Sequence, residues 1–261
     1  MAKAKVSGRK GAKKLAAKTR SAPSKSAPTN SLHNLHFPNE SAAYRAARNE
    51  LLEAETKLRQ RIEQVAAMRR RLPLGGAAKE DYVFEEGETM LSGHPVARRV
   101  RLSELFGEHD SLVIYNFMFG PEMEHACPAC ASILDSLDGA TQHINQRTNL
   151  VIVARSPVAR IRQLALSRGW RRLRFLSSSQ NSYNRDYHGE AADGSQLPML
   201  NVFVRRNGRV HHFTGSEMLF GPRESGQGPR HVDLIWPLWN VLDLTPEGRG
   251  KDWTPQLSYM D

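Results

Sequence analysis

Cys127-Pro128-Ala129-Cys130 is the segment whose residue types and spacing are suited to chemistry, and it holds both cysteines of the chain. Two thiols three residues apart at a helix start can close a disulfide. The first sits where free backbone N–H groups and the helix dipole favour a thiolate. Cys127 is therefore the expected nucleophile. Cys130, one turn further in and more buried, is the expected resolving thiol for a mixed disulfide. Pro128 fits the first turn, where no N–H is needed. C-x-x-C beside a βαβ pattern is the sequence signal of a dithiol–disulfide redox pair, which calls for no cofactor and no metal. Two other readings stand beside it. One is half a zinc site with His125 and a distant histidine, although no second cysteine pair exists. The other is an inert pair of small buried side chains.

Other residues near the pair have weaker claims. Glu122, Glu124 and His125 lie within five residues of Cys127, so one of them could act as a base for Cys130 or tune the thiolate. A solvated charged loop accounts for them as well. His211 and His212 are adjacent on a strand and point to opposite faces, which argues against a shared metal. Tyr115, Phe117 and Phe119 recur with period two and read as core. Trp236 and Trp239 read as core too.

The elements that must position the cysteines follow from periodicity. Leu112–Phe119 is an apolar and aromatic run, expected as a buried strand leading to the pair. Residues 130–145 have helical spacing. Leu150–Ala154 reads as a second buried strand. Residues 156–168 read as a helix with Ser156 as N-cap, Pro157 in its first turn and Gly169 as its stop. Phe175-Leu176 belongs to a third strand. Pro198 opens a hairpin of Met199–Val204 and Val210–Phe213 around Asn207-Gly208, a strong turn signal. Residues 231–243 read as a last helix interrupted near Pro237. Upstream, Tyr82–Phe84 and Val100–Leu102 read as short strands around a turn region. The alternation of strands and helices, closed by a hairpin, predicts an α/β sandwich with a mixed sheet.

Residues 41–72 read as one long helix. Its apolar stripe runs through Tyr44, Ala47, Leu51, Ala54, Leu58, Ile62, Val65, Met68 and Leu72. Ser41 is the expected N-cap, and Pro73 with Gly75-Gly76 the stop. The helix suits either an element lying across the domain or a homodimer arm.

The 261 residues carry a formal net charge of +10. Residues 1–25 hold nine basic side chains and no acid, which leaves 28 basic against 27 acidic residues elsewhere. The basic pI thus belongs to a tail, which disfavours a wholly basic DNA-binding fold. A tail of this kind suits sequence-nonspecific contact with a polyanion such as nucleic acid. Poor in large apolar side chains, residues 1–35 are expected to be disordered. Two cysteines cannot make a secreted disulfide framework. The longest apolar run, Leu150–Ala154, has five residues, against about 18–20 for a membrane span. The expectation is a soluble cytoplasmic protein with no membrane contact.

Several segments together resemble a known family. They are Lys79–Phe84, Leu102–Phe106, Tyr115–Pro121, Cys127–Cys130 and Leu242–Arg249. They are similar to the bacterial domain-of-unknown-function family 899, described as predicted dithiol-disulfide oxidoreductases. The resemblance covers about residues 36–250 and leaves out the basic tail. It implies a thioredoxin-like α/β/α sandwich over 77–250, preceded by a helical arm over 36–76 and followed by a tail over 251–261. It also implies a redox cysteine pair but no established substrate; the pair itself calls for a protein or small-molecule thiol/disulfide partner. In thioredoxin-like folds a cis proline before a strand packs beside the cysteine pair and presents backbone to an extended substrate, a role that falls on Pro198 here. Peroxiredoxins are the neighbouring group, with the pattern Pro-x-x-x-Thr/Ser-x-x-Cys. Aligned on Cys127, this chain has Gly120 for the proline and Glu124 for the hydroxyl residue. Glu124 would oppose a thiolate by like charge, which weakens a peroxidase reading.

Overall fold

The computed structural model describes residues 33–87 and 97–259. The expectations for 1–32, for the turn around 88–96 and for 260–261 lie outside the described residues. The chain divides into two compact units, Met1–Met68 and Arg69–Asp261.

The first unit is built on α1, Ala42–Arg70. Ser41 caps it as expected, its Oγ accepting from Tyr44 N at 3.1 Å. The stripe that periodicity marked is exposed at Tyr44, Leu51, Leu58, Ile62 and Met68. The buried residues of α1 are polar instead, Arg45 and Asn49. Arg45 is buried because its guanidinium is paired with Glu40.

The second unit holds a seven-stranded sheet in the order β2-β1-β5-β4-β3-β6-β7. The strands are β1 Val83–Glu86, β2 Arg98–Arg101, β3 Ser111–Asn116, β4 Asn149–Ala154, β5 Arg174–Ser177, β6 Leu200–Arg206 and β7 Arg209–Gly215. β3, β4 and β5 run parallel, while β6, β7 and the β1–β2 hairpin are antiparallel to their neighbours. α2 (Pro128–Ile144) joins β3 to β4, and α3 (Val158–Ser167) joins β4 to β5. A β-α-β unit followed by an antiparallel hairpin, with the order β4-β3-β6-β7, is thioredoxin-like topology.

Alternation along the strands separates two cores. Tyr115, Phe117, Leu150, Ile152 and Phe175 face α2, α3 and the last helix, α5 (Pro237–Leu242). Leu112, Ile114, Val151, Val153, Leu176 and Phe203 face the other way. They meet the 3-10 turn Leu102–Phe106 and the short α4 (Tyr183–Asp186). The second helical layer of the sandwich is therefore thin. Asn207 and Gly208 both take positive φ, 50° and 72°, as a two-residue hairpin turn requires.

Local details differ from expectation. β3 ends at Asn116 rather than Phe119. The N-cap of α3 is Pro157, not Ser156. The Ser156 side chain is buried and donates to Gly120 O at 3.0 Å, so its hydroxyl fastens the loop before the cysteines instead of the helix. No described helix is long and apolar enough to cross a membrane.

Candidate redox site

Cys127 is the N-cap residue of α2, with Pro128 in the first turn. Its extended backbone turns its side chain back over the open end of the helix. There Sγ accepts from Cys130 N at 3.3 Å. Its own N–H donates to Met118 O at 3.1 Å, which closes the loop between β3 and α2. Both cysteines are free thiols, Cys127 half-buried and Cys130 buried.

The two sulfurs have opposite electrostatic settings. The Cys130 side chain donating to Cys127, with backbone N–H groups of Cys130 and Ala129, brings the Cys127 thiol down to about 6 against the opposing effect of burial. Cys130 is held well above the ordinary thiol range, first because its proton is shared with Cys127 and then by burial. One sulfur is thus a thiolate at neutral pH and the other a retained thiol, the division of labour that a nucleophile and a resolving thiol need.

The preceding loop is braced from α3. Arg160 donates to Pro121 O at 2.9 Å and to Met123 O at 2.6 Å, and its guanidinium lies 4.7 Å from the Phe119 ring centroid. From α5's flank, Trp236 Nε1 donates to Ser132 Oγ on α2 at 2.9 Å. Asp138 Oδ1 accepts from the backbone N–H groups of Arg171, Arg172 and Leu173, tying α2 to the chain entering β5.

Glu122, Glu124 and His125 are exposed. Glu124 and His125 pair with each other at 3.6 Å. Cys130 by contrast is only 2% exposed. Among the described residues no group of three His, Cys, Asp or Glu could hold a metal ion, so the zinc reading has no further ligands there. His211 and His212 part company as strand neighbours do: His211 meets Gly75 O and His212 meets Asn201 Oδ1.

Pro198 lies two residues before β6, the strand beside β3. Its neighbour Met199 accepts from Asn116 N at 2.8 Å, just where β3 leaves the sheet toward Cys127. Peptide groups around Pro198 are already engaged. His231 Nε2 donates to Pro198 O at 2.9 Å, Met199 N to Leu197 O at 3.0 Å, and Leu197 N to Gly189 O at 3.0 Å.

Three residues at the site escape sequence reasoning. Arg160 and His231 come from remote elements and carry no local signal. Tyr115 reads as core, yet its hydroxyl faces the Cys130 sulfur. The one hint was a tyrosine in a series otherwise filled by Phe117 and Phe119.

Among solved structures, the chain is similar to Plasmodium yoelii thioredoxin peroxidase I. That match has 17% identity, 72% of this chain and 100% of that one covered, and a TM-score of 0.42. It is similar to Enterococcus faecalis AhpC at 10% identity, covering 64% and 91%, with a TM-score of 0.43. For Mycobacterium tuberculosis AhpC the figures are 13%, 66% and 93%, and 0.43. No curated protein matches the sequence. A family model does match, over residues 34–260, and the chain belongs to that family, described as bacterial protein of unknown function, DUF899.

Proposed function

We propose that this chain is a dithiol–disulfide oxidoreductase. The observation that carries the reading is the split between a thiolate at the N-cap of α2 and a buried protonated thiol one turn later. In the reducing direction, the Cys127 thiolate attacks a substrate disulfide and releases one thiol. Cys130 then attacks the Cys127 sulfur of the mixed disulfide and releases the second. The substrate's backbone lies along Pro198, in place of the His231 contact. The Glu124 side chain, exposed and without a hydroxyl, offers no peroxide-positioning group, which favours this reading over a peroxidase.

The test is reduction of a protein or small-molecule disulfide by the full chain. Cys127→Ser abolishes it, and Cys130→Ser accumulates a mixed disulfide on Cys127, seen by intact mass. Activity surviving in Cys127→Ser overturns the reading.

Two partner contacts accompany this reading. The exposed stripe of α1 supports homodimer formation through residues 41–72. The nine basic side chains of residues 1–25 support a salt-dependent polyanion contact, separable from the redox chemistry by deleting residues 1–35. Binding retained after that deletion removes the tail from the account. If Cys127 and Cys130 prove inert, this tethered binding module becomes the leading function.

A further inference from the structure

Tyr115 lies on β3 and points to the face that carries α2 and both cysteines. Its side chain is completely buried. Its hydroxyl is buried without a hydrogen-bond partner, in the same core cluster as Cys130, the sulfur whose ionisation it bears on. A buried hydroxyl without a partner is unfavourable, and phenylalanine would fill nearly the same volume without that cost. The same face uses phenylalanine at Phe117 and Phe119. A donor of this kind gains a strong partner when the neighbouring sulfur becomes an anion, because hydrogen bonds to ionised groups are the stronger ones.

We propose that the Tyr115 hydroxyl is the hydrogen-bond donor to the Cys130 thiolate in the resolving step. The inference rests on the redox reading of the cysteine pair. In that step the Cys127 sulfur is bonded to the substrate sulfur. Cys130 loses its proton and attacks Cys127 Sγ. The Cys127–substrate S–S bond breaks, a Cys127–Cys130 bond forms, and the departing thiolate takes up a proton. The dithiol is oxidised by two electrons and the substrate disulfide is reduced to two thiols, so no further reactant is needed.

Tyr115 keeps its own proton throughout. Burial first, and then the adjacent sulfurs, hold its phenol well above the ordinary tyrosine range. It therefore stabilises the anion rather than removing the proton. The groups facing the Cys130 sulfur are the Cys127 side chain, the Tyr115 hydroxyl and the Met118 backbone. Once Cys127 is in a mixed disulfide its charge is gone, burial still opposes ionisation of Cys130, and Tyr115 is the side chain that favours it.

The experiment uses Tyr115→Phe in the full chain, which removes one oxygen and leaves the packing. Single-turnover reaction with dithiobis(nitrobenzoate) separates the two steps, since the first aryl thiolate reports attack by Cys127 and the second reports resolution by Cys130. The first phase should be unchanged and the second slowed about threefold, because a higher Cys130 pKa lowers the thiolate fraction while the more basic thiolate recovers part of the loss. A second measurement follows the Cys130 Cβ carbon by NMR across pH in a Cys127→Ser background, where Tyr115→Phe should raise the Cys130 pKa by about one unit. Equal slowing of both phases overturns the inference, and so does an unmoved Cys130 titration. If the parent chain releases no second aryl thiolate, the oxidoreductase reading fails instead, and the Cys130 titration still decides whether Tyr115 serves that sulfur.

Discussion

α1 and α2 make an instructive pair. Both are amphipathic helices with apolar residues at spacings of three and four. α1 runs 29 residues and leaves Leu51, Leu58, Ile62 and Met68 exposed. α2 runs 17 residues and buries Ile133, Leu134 and Leu137 against the sheet. The difference arises outside the helices. α2 is bound at both ends to parallel strands, so its stripe has no choice but to face them. α1 follows a basic, apolar-poor segment, and its interior side chains are the ion-paired Arg45 and Asn49. Periodicity thus says which face of a helix is apolar and nothing about what covers it.

The sharpest way to break this contrast is to cut a cavity under α2. Leu134 is fully buried, so Leu134→Ala should cost about 2–5 kcal/mol in chemical denaturation of the full chain. A cost below about 1 kcal/mol would mean that α2 is no better packed than the arm.

The second test concerns the end of α2 that carries the chemistry. With the Cys127 thiol brought down to about 6, the thiolate fraction, and with it the rate of alkylation by iodoacetamide, should rise with pH through that value and level off above it. The sign follows from the thiolate being the nucleophile, so acid suppresses the reaction. A profile that climbs only above about pH 8 would give Cys127 an ordinary thiol and remove the effect of the Cys130 side chain and the helix-end N–H groups.

The smallest effect is expected on α1. Leu58 is 60% exposed in the single chain, so Leu58→Ala should change the stability of the monomer by less than about 0.5 kcal/mol. The paired substitution Leu51→Glu with Leu58→Glu should shift sedimentation from dimer to monomer while redox activity is retained. A sedimentation coefficient unchanged by the charges would take the arm out of the proposed dimer.

Much of the scaffold was legible in the residues. The buried runs at 112–116 and 150–154, the Asn207-Gly208 turn and the capped helix from Ser41 are local signals, and local sterics and side-chain polarity are enough to set them. C-P-A-C likewise specified a cysteine at a helix start, because the N-cap position follows from chain order alone. Ser156 before Pro157 resembles a cap by sequence, but its hydroxyl is claimed by Gly120 O across the loop. Glu122, Glu124 and His125 were plausible bases on spacing, yet the chain turns their side chains out to solvent. The sequence by itself determined the order of strands and helices, the place of the cysteine pair and the confinement of the charge excess to residues 1–25. Tertiary structure alone decided that Arg160 would brace the loop, that His231 would occupy Pro198 O, and that Tyr115 would meet Cys130. Those contacts join residues from 15 to 39 positions apart, and only the closing of the sheet and the packing of helices on it bring such groups within reach of one another.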